Sequence, residues 1–192
     1  ATMIVTASDH LILNENEFCR AIERSADFAE ERGVMMTIGI HPTRPDTGYG
    51  YIQVDNSHET YGAIHKVKTF TEKPNEELAR TFVESGEFFW NSGIFVWKVS
   101  TILEALGRYL PDLEQMFASI APHYGTPEEA QYIERIYPEC RNISIDFGVM
   151  EKAENVFVCC CECGWSDIGT WGSLYRYSPK DENGNVSPER SM

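Results

Sequence analysis

Asp9 and Asp167 are the two carboxylates of this chain best placed to act together. Each comes after a short apolar run, residues 3–7 in one case and 156–161 in the other, that reads as a buried strand. Carboxylates at strand ends converge in the crevice of an α/β sheet. Two of them, with phosphate oxygens and waters, make a magnesium site; either one alone reads equally as a cap or turn residue. Glu72 and Lys73 form a second pair, followed by Pro74. A residue before proline is pushed into extended geometry, so Lys73 is expected at a strand end. There its ammonium can meet a phosphate while Glu72 accepts hydrogen bonds from hydroxyls; the competing reading is a surface ion pair of little worth. Asn91 lies between Trp90 and Ser92-Gly93 in an otherwise apolar strand. Its amide can give and accept hydrogen bonds to a hydroxyl pair, or it marks a bulge. Gly48, in Thr47-Gly48-Tyr49-Gly50-Tyr51, lets backbone approach a ligand or simply turns the chain. Asp146, in Ser144-Ile145-Asp146-Phe147-Gly148-Val149-Met150-Glu151-Lys152, either faces a ligand or caps a helix that starts there.

The elements that must position these groups follow from periodicity. A strand over residues 3–7, buried on both faces, leads to a helix over 15–33 with Phe18, Ala21, Ile22, Ala26 and Ala29 at helical spacing and Gly33 as its stop. A strand over 34–40 follows, and this strand–helix–strand order suggests a parallel α/β sheet. Further strands are expected at 51–54, 63–70, 88–99 and 156–161, and helices at 75–85, 101–117, 127–136 and 170–177. A strand buried on both faces needs neighbours on both sides, so the first strand implies material ahead of it.

Composition narrows the class. The chain has 192 residues, 42% of them hydrophobic, enough for one domain with a substantial core. A formal net charge of -14 argues against nucleic acid and anionic membranes as partners, though not against a small phosphorylated substrate. Apolar stretches such as 94–97 and 156–161 are too short to span a bilayer, and no basic and apolar leader opens the sequence. A cytoplasmic protein is the expectation. Cys159-Cys160-Cys161-Glu162-Cys163 contains one Cys-x-x-Cys spacing but no second pair or histidine cluster, so it reads as a buried strand of small apolar residues, with its thiols reduced. No Gly-x-Ser-x-Gly elbow is present, and His10 reads as structural.

Phe70-Thr71-Glu72-Lys73-Pro74, Trp90-Asn91-Ser92-Gly93-Ile94-Phe95 and Gly164-Trp165-Ser166-Asp167-Ile168-Gly169-Thr170-Trp171 follow Ser8-Asp9-His10 in fixed order. Together they resemble the sugar-phosphate nucleotidyltransferases, and most closely the mannose-1-phosphate guanylyltransferases (GDP-mannose pyrophosphorylases). Pro45-Asp46-Thr47-Gly48-Tyr49-Gly50-Tyr51-Ile52 nearly reproduces another motif of that family, with Asp46 in place of Glu, and Phe147 stands where the family has Tyr. The resemblance implies a Rossmann-like (GT-A-like) mixed sheet flanked by helices. It implies transfer of GMP from GTP to mannose 1-phosphate, giving GDP-mannose and pyrophosphate without a covalent intermediate. By the same resemblance Mg2+ is held by Asp9 and Asp167, Lys73 binds the phosphate and acts with them in catalysis, Glu72 binds sugar hydroxyls, and Gly48, Asn91 and Asp146 line the sugar pocket. The family's Gly-rich nucleotide loop is absent ahead of Asp9. The chain is therefore expected to be incomplete at its N-terminus and inactive alone, with a partial transferase domain over 1–177 and a tail or connection over 178–192. A homodimer is a further possibility. The alternatives are a glucose 1-phosphate enzyme using UTP or dTTP, and a non-catalytic sugar-phosphate-binding homologue.

Overall fold

The computed structural model describes residues 1–186. Its main sheet is built from β1 (Thr2–Val5), β3 (Met35–Ile40), β4 (Gly50–Val54), β5 (Ile64–Thr71), β6 (Phe88–Lys98) and β7 (Val156–Cys161), in the spatial order β1-β6-β3-β7-β5-β4. A two-stranded ribbon, β2 (His10–Leu11) with β8 (Ser166–Asp167), stands beside it. Helices α1 (Glu15–Arg32) and α2 (Glu76–Ser85) contribute Ala21, Phe28, Ala29, Ala79 and Phe82 to one core. Helix α3 (Val99–Tyr109) contributes Ile102 and Ala105 to a second, with Met35, Phe95 and Trp97 from the sheet. Each helix buries one apolar stripe against the sheet, the arrangement by which α/β domains hide both sheet faces. The other α-helices are α4 (Pro111–Ser119), α5 (Glu129–Ile136) and α6 (Trp171–Tyr177).

Local chemistry explains the helix ends. The Asn14 side chain accepts from Glu17 N–H at 3.2 Å and the Asn75 side chain from Leu78 N–H at 2.9 Å, each satisfying a donor that the first helical turn leaves unpaired. Gly33 and Gly86 close α1 and α2 at φ 64° and 71°, the left-handed conformation expected of terminal glycines.

Three expectations need correction. The sheet is mixed, as the family resemblance implies, and not the parallel sheet that the strand–helix–strand order suggests: only β3 and β7 are parallel neighbours. Strands β1 and β3 do run in the same direction, but β6 lies between them, antiparallel to both. Strand β1 is not buried on both faces; it is a sheet edge, with Met3, Ile4 and Val5 41%, 49% and 40% exposed. An apolar run reports that a strand can be buried but not how many neighbours it has. The helix expected over 101–117 is two helices, because Pro111 lacks the N–H that a continuous helix would use; it opens α4 instead.

The cysteine-rich run is β7, as expected of a buried apolar strand, and its thiols are free. Of the expected tail, residues 178–186 fold back toward α6, where Tyr175 O–H donates to Gly184 C=O at 2.7 Å, and 187–192 lie outside the described residues. Among the described residues no helix is long and apolar enough to cross a membrane.

Candidate active site

The sheet brings Glu72, Asn91 and Asp146 together. Gly50 on β4 pairs with Asn91 on β6, while Tyr51 beside it pairs with Thr71, the residue before Glu72. A Cβ built on Gly50 would lie 2.5 Å from Glu72 Oε2 and 3.4 Å from Asn91 Cβ, so only glycine lets the carboxylate lie across the strand. Asn91 Nδ2 donates to Asp146 Oδ1 at 2.8 Å. Asp146 opens a π-helical turn (Asp146–Met150) but makes no capping bond there; its side chain accepts from Asn91 instead.

Asn91 also adjoins a bulge, as one of its two readings expects. Pairing steps from Thr37↔Phe95 to Gly39↔Asn91, looping out the residues between on β6, with Gly93 at φ 71°. Side chains satisfy the disturbed backbone. Ser92 Oγ donates to Ile38 C=O at 2.7 Å and Gly93 N–H donates to Asn91 Oδ1 at 3.2 Å.

Burial pushes Glu72 above the ordinary carboxylate range, and the nearby negative charge of Asp146 adds to it while Lys73 opposes. Burial likewise raises Asp146, against the Asn91 hydrogen bond and Lys73. Glu151 is raised by burial and by both of these acids, with Lys152 opposing. Three carboxylates thus share one region. Lys73 is the cation beside Glu72, with its Nζ 3.5 Å from Glu72 Oε1. Lys73 is not extended as expected from Pro74. Its φ is 45°, the only positive value at a non-glycine residue among those described, a conformation that costs on the order of 1 kcal/mol or more. It sits where β5 ends and Pro74-Asn75 starts α2, and the reversal there sets its backbone.

Asp9 precedes β2 and Asp167 ends β8, so the small ribbon brings their two chain segments side by side. His10 pairs with Asp167 and Leu11 with Ser166, which sets the two aspartates on adjacent antiparallel segments, one residue out of register. Trp165 Nε1–H donates to His10 Nδ1 at 3.1 Å and ties the segments together; His10 therefore carries its neutral-form proton on Nε2. Gly169 N–H donates to Asp167 Oδ1 at 2.7 Å, and a Cβ on Gly169 would come within 2.8 Å of that oxygen. Asp9 is exposed and its carboxylate makes no hydrogen bond among the described residues. The donor set is all oxygen and suits a hard cation such as magnesium. Among the described residues no group of three or more His, Cys, Asp or Glu stands ready for a metal, so water and phosphate oxygens would have to complete the shell.

Gly48 is placed differently from the expectation of a pocket-lining residue. Its N–H donates to Asp46 Oδ1 at 2.9 Å in an exposed turn, and it is Gly50 that lies against Glu72 and Asn91. Between that turn and the Gly164–Ser166 segment is a cavity of about 390 Å³ lined by Arg44, Tyr49, Trp90 and Trp165 among others. Two residues escaped the sequence reading. Gly50 was visible in the motif but indistinguishable from Gly48 without the strand register. Thr37 had a signal: it is the one hydroxyl residue within the apolar strand Met35–Ile40.

Residues 1–184 match the Nucleotidyl transferase family. The chain is 39% identical to the mannose-1-phosphate guanylyltransferase of Klebsiella pneumoniae, over 96% of this chain and 39% of that protein. It is 38% identical to the alginate biosynthesis protein AlgA of Pseudomonas fluorescens, over 96% of this chain and 38% of that one. Its fold superposes on a crystal structure described as mannose-1-phosphate geranyltransferase from Thermus thermophilus, with a TM-score of 0.80 and 32% identity, covering 91% of this chain and 49% of the other. The chain spans about two fifths of the length of the curated relatives it matches.

Proposed function

Because the chain belongs to the nucleotidyl transferase family, we infer that it supplies the sugar-phosphate side and the metal carboxylates of a mannose-1-phosphate guanylyltransferase. The substrates are GTP and mannose 1-phosphate, and the products GDP-mannose and pyrophosphate. The observation that carries this reading is the convergence of Glu72, Asn91 and Asp146 across Gly50, which puts hydroxyl-binding carboxylates and an amide around one point. Relatives named mannose-1-phosphate guanylyltransferase support the choice of sugar and base. The net charge of -14 supports small substrates rather than nucleic acid or an anionic membrane.

In this reading Glu72 and Asp146 accept hydrogen bonds from sugar hydroxyls and Asn91 donates to one. Lys73, exposed beside them, pairs with the sugar phosphate. Gly50 keeps a side chain out of the space the sugar ring uses. Asp9 and Asp167 would hold magnesium, which would supply charge neutralisation for the phosphates. One oxygen of the sugar phosphate attacks the α-phosphorus of GTP in line. The new P–O bond forms as the bond to pyrophosphate breaks, and no covalent bond forms to the chain. The chain's own contribution is positioning and fixed charge. The test is a titration of the chain with mannose 1-phosphate, followed by pyrophosphate detection after GTP and magnesium are added. Saturable binding is expected to be lost in Glu72→Ala, and whatever release the chain supports to be lost in Asp167→Ala. Binding unaffected by Glu72→Ala, or release unaffected by Asp167→Ala, contradicts the reading.

A further inference from the structure

Asn91 has its hydrogen-bonding capacity almost fully assigned before any ligand arrives. Its Oδ1 accepts from Thr37 Oγ1–H at 3.0 Å and from Gly93 N–H at 3.2 Å. One Nδ2 hydrogen goes to Asp146 Oδ1 at 2.8 Å. An amide oxygen has two lone pairs and an amide nitrogen two hydrogens, so what remains is one N–H. The point where a Gly50 Cβ would stand lies 3.7 Å from Asn91 Nδ2 and 2.5 Å from Glu72 Oε2, which puts that nitrogen and the carboxylate around the same space.

Thr37 is fully buried, on the strand held by backbone ladders to β6 on one side and β7 on the other. Asn91 is paired to Gly39 and Gly50, and the bulge begins just after it. Thr37 is wholly inside the core, whereas the Asn91 side chain reaches out to Asp146 and to the space beside Gly50, so Thr37 is the anchor of the pair.

We propose that Thr37 is a positioning residue for the sugar pocket: the Gly93 N–H, which can only donate, sets which end of the Asn91 amide faces the core, and the Thr37 hydroxyl pins it there, so that the amide offers the pocket a donor and never an acceptor. The consequence is a hydrogen-bond code. A ligand group placed there must accept from Asn91 and donate to an adjacent carboxylate, which a hydroxyl does and an ammonium does not. The inference rests on the pocket being a sugar site only for the identity of the ligand; the lock itself exists without ligand.

The experiment compares the chain with Thr37→Val, which keeps the shape and removes the hydroxyl, and Thr37→Ser, which restores it. In 15N-labelled protein without ligand, the Asn91 side-chain amide pair, assigned by its loss in Asn91→Asp, is expected to be well dispersed and slow to exchange with water. Thr37→Val should move both signals toward free-amide values and speed their exchange about tenfold or more, the loss of one buried hydrogen bond. Thr37→Ser should retain them. In calorimetry, mannose 1-phosphate should bind about tenfold more weakly to Thr37→Val than to the parent or Thr37→Ser. An unchanged Asn91 pair in Thr37→Val, or Thr37→Ser behaving like Thr37→Val, overturns the proposal. If the parent binds no mannose 1-phosphate, the functional reading fails while the amide signals still decide whether Thr37 sets Asn91. Should Thr37→Val disturb backbone resonances throughout, Thr37→Ala is read by the same two criteria.

Discussion

Asn91 and Asp146 are held by each other and by a buried side chain, with Glu72 beside them, whereas Asp9 and Asp167 are held mainly by backbone. The first group draws on the end of β5, on β6 and on a π-helical turn, with Thr37, Gly93 and Asp146 all hydrogen-bonded to one amide. The second is set by a two-residue ribbon, one N–H from Gly169 and the Trp165–His10 hydrogen bond, with Asp9 open to solvent. The difference matches what each would do under the proposed function. Recognition of hydroxyls needs donors and acceptors in fixed directions, which a desolvated network supplies at a cost in stability. A hard cation imposes its own geometry on oxygen ligands and exchanges waters as substrate enters, so its carboxylates are best left solvated and unpaired.

The contrast can be broken by substitutions on either side. The largest effect is expected from Asp9→Ala. Under the proposed function it should lower whatever nucleotidyl transfer the chain supports on the order of a hundredfold to a thousandfold while stability stays within about 0.5 kcal/mol, measured by pyrophosphate release beside thermal unfolding. Asn91→Leu should do the reverse for the fold. Stranding the buried Thr37 hydroxyl and taking the donor from Asp146 costs about 2–3 kcal/mol, read by denaturant unfolding, and removes mannose 1-phosphate binding. Gly50→Ala is a steric test. The added methyl would stand 2.5 Å from Glu72 Oε2, so the end of that flexible side chain must move; stability should change by only about 0.5 kcal/mol, while calorimetry should show sugar-phosphate affinity falling about tenfold.

Asp146→Asn tests the electrostatics and is the smallest effect. Burial raises both Asp146 and Glu72, so the folded state favours their protonated forms. That stability is fully present below the unfolded-state pKa values and is lost as pH rises through the elevated folded ones. Removing the ionisable group should therefore raise Tm at neutral pH by on the order of 2 °C, with the gain shrinking as pH falls toward about 4. Asp146 is also one cause of the raised Glu72, so the acid limb of mannose 1-phosphate binding should shift to lower pH in this variant.

Strand β7, helices α1 and α2 with their terminal glycines, and the convergence of polar residues on strand ends were legible because periodicity, caps and Gly signals are local. Three features were not. The edge position of β1 depends on neighbours, and the same apolar run suits a central or an edge strand. The insertion of β6 between β1 and β3 is a long-range pairing that no local pattern encodes. At Lys73 the steric rule for a residue before proline pointed to an extended backbone, and the reversal from β5 into α2 overrode it. Within the candidate site, Asn91 stands out as polar in an otherwise apolar strand, while the readings of Glu72, Asp146 and Gly48 lean on the family motifs. That Gly50 rather than Gly48 lies against Glu72 and Asn91 depends on strand register, which is invisible without the partner strand.

The most direct test of the central claim is chemical-shift mapping of the 15N-labelled chain during titration with mannose 1-phosphate, beside a titration with free mannose. The predicted result is saturable shifts centred on Gly50, Glu72, Lys73, Asn91 and Asp146, with the Lys73 shift lost when the sugar carries no phosphate. Shifts that avoid these residues, or none at all up to millimolar ligand, would contradict the assignment of this pocket to the sugar phosphate.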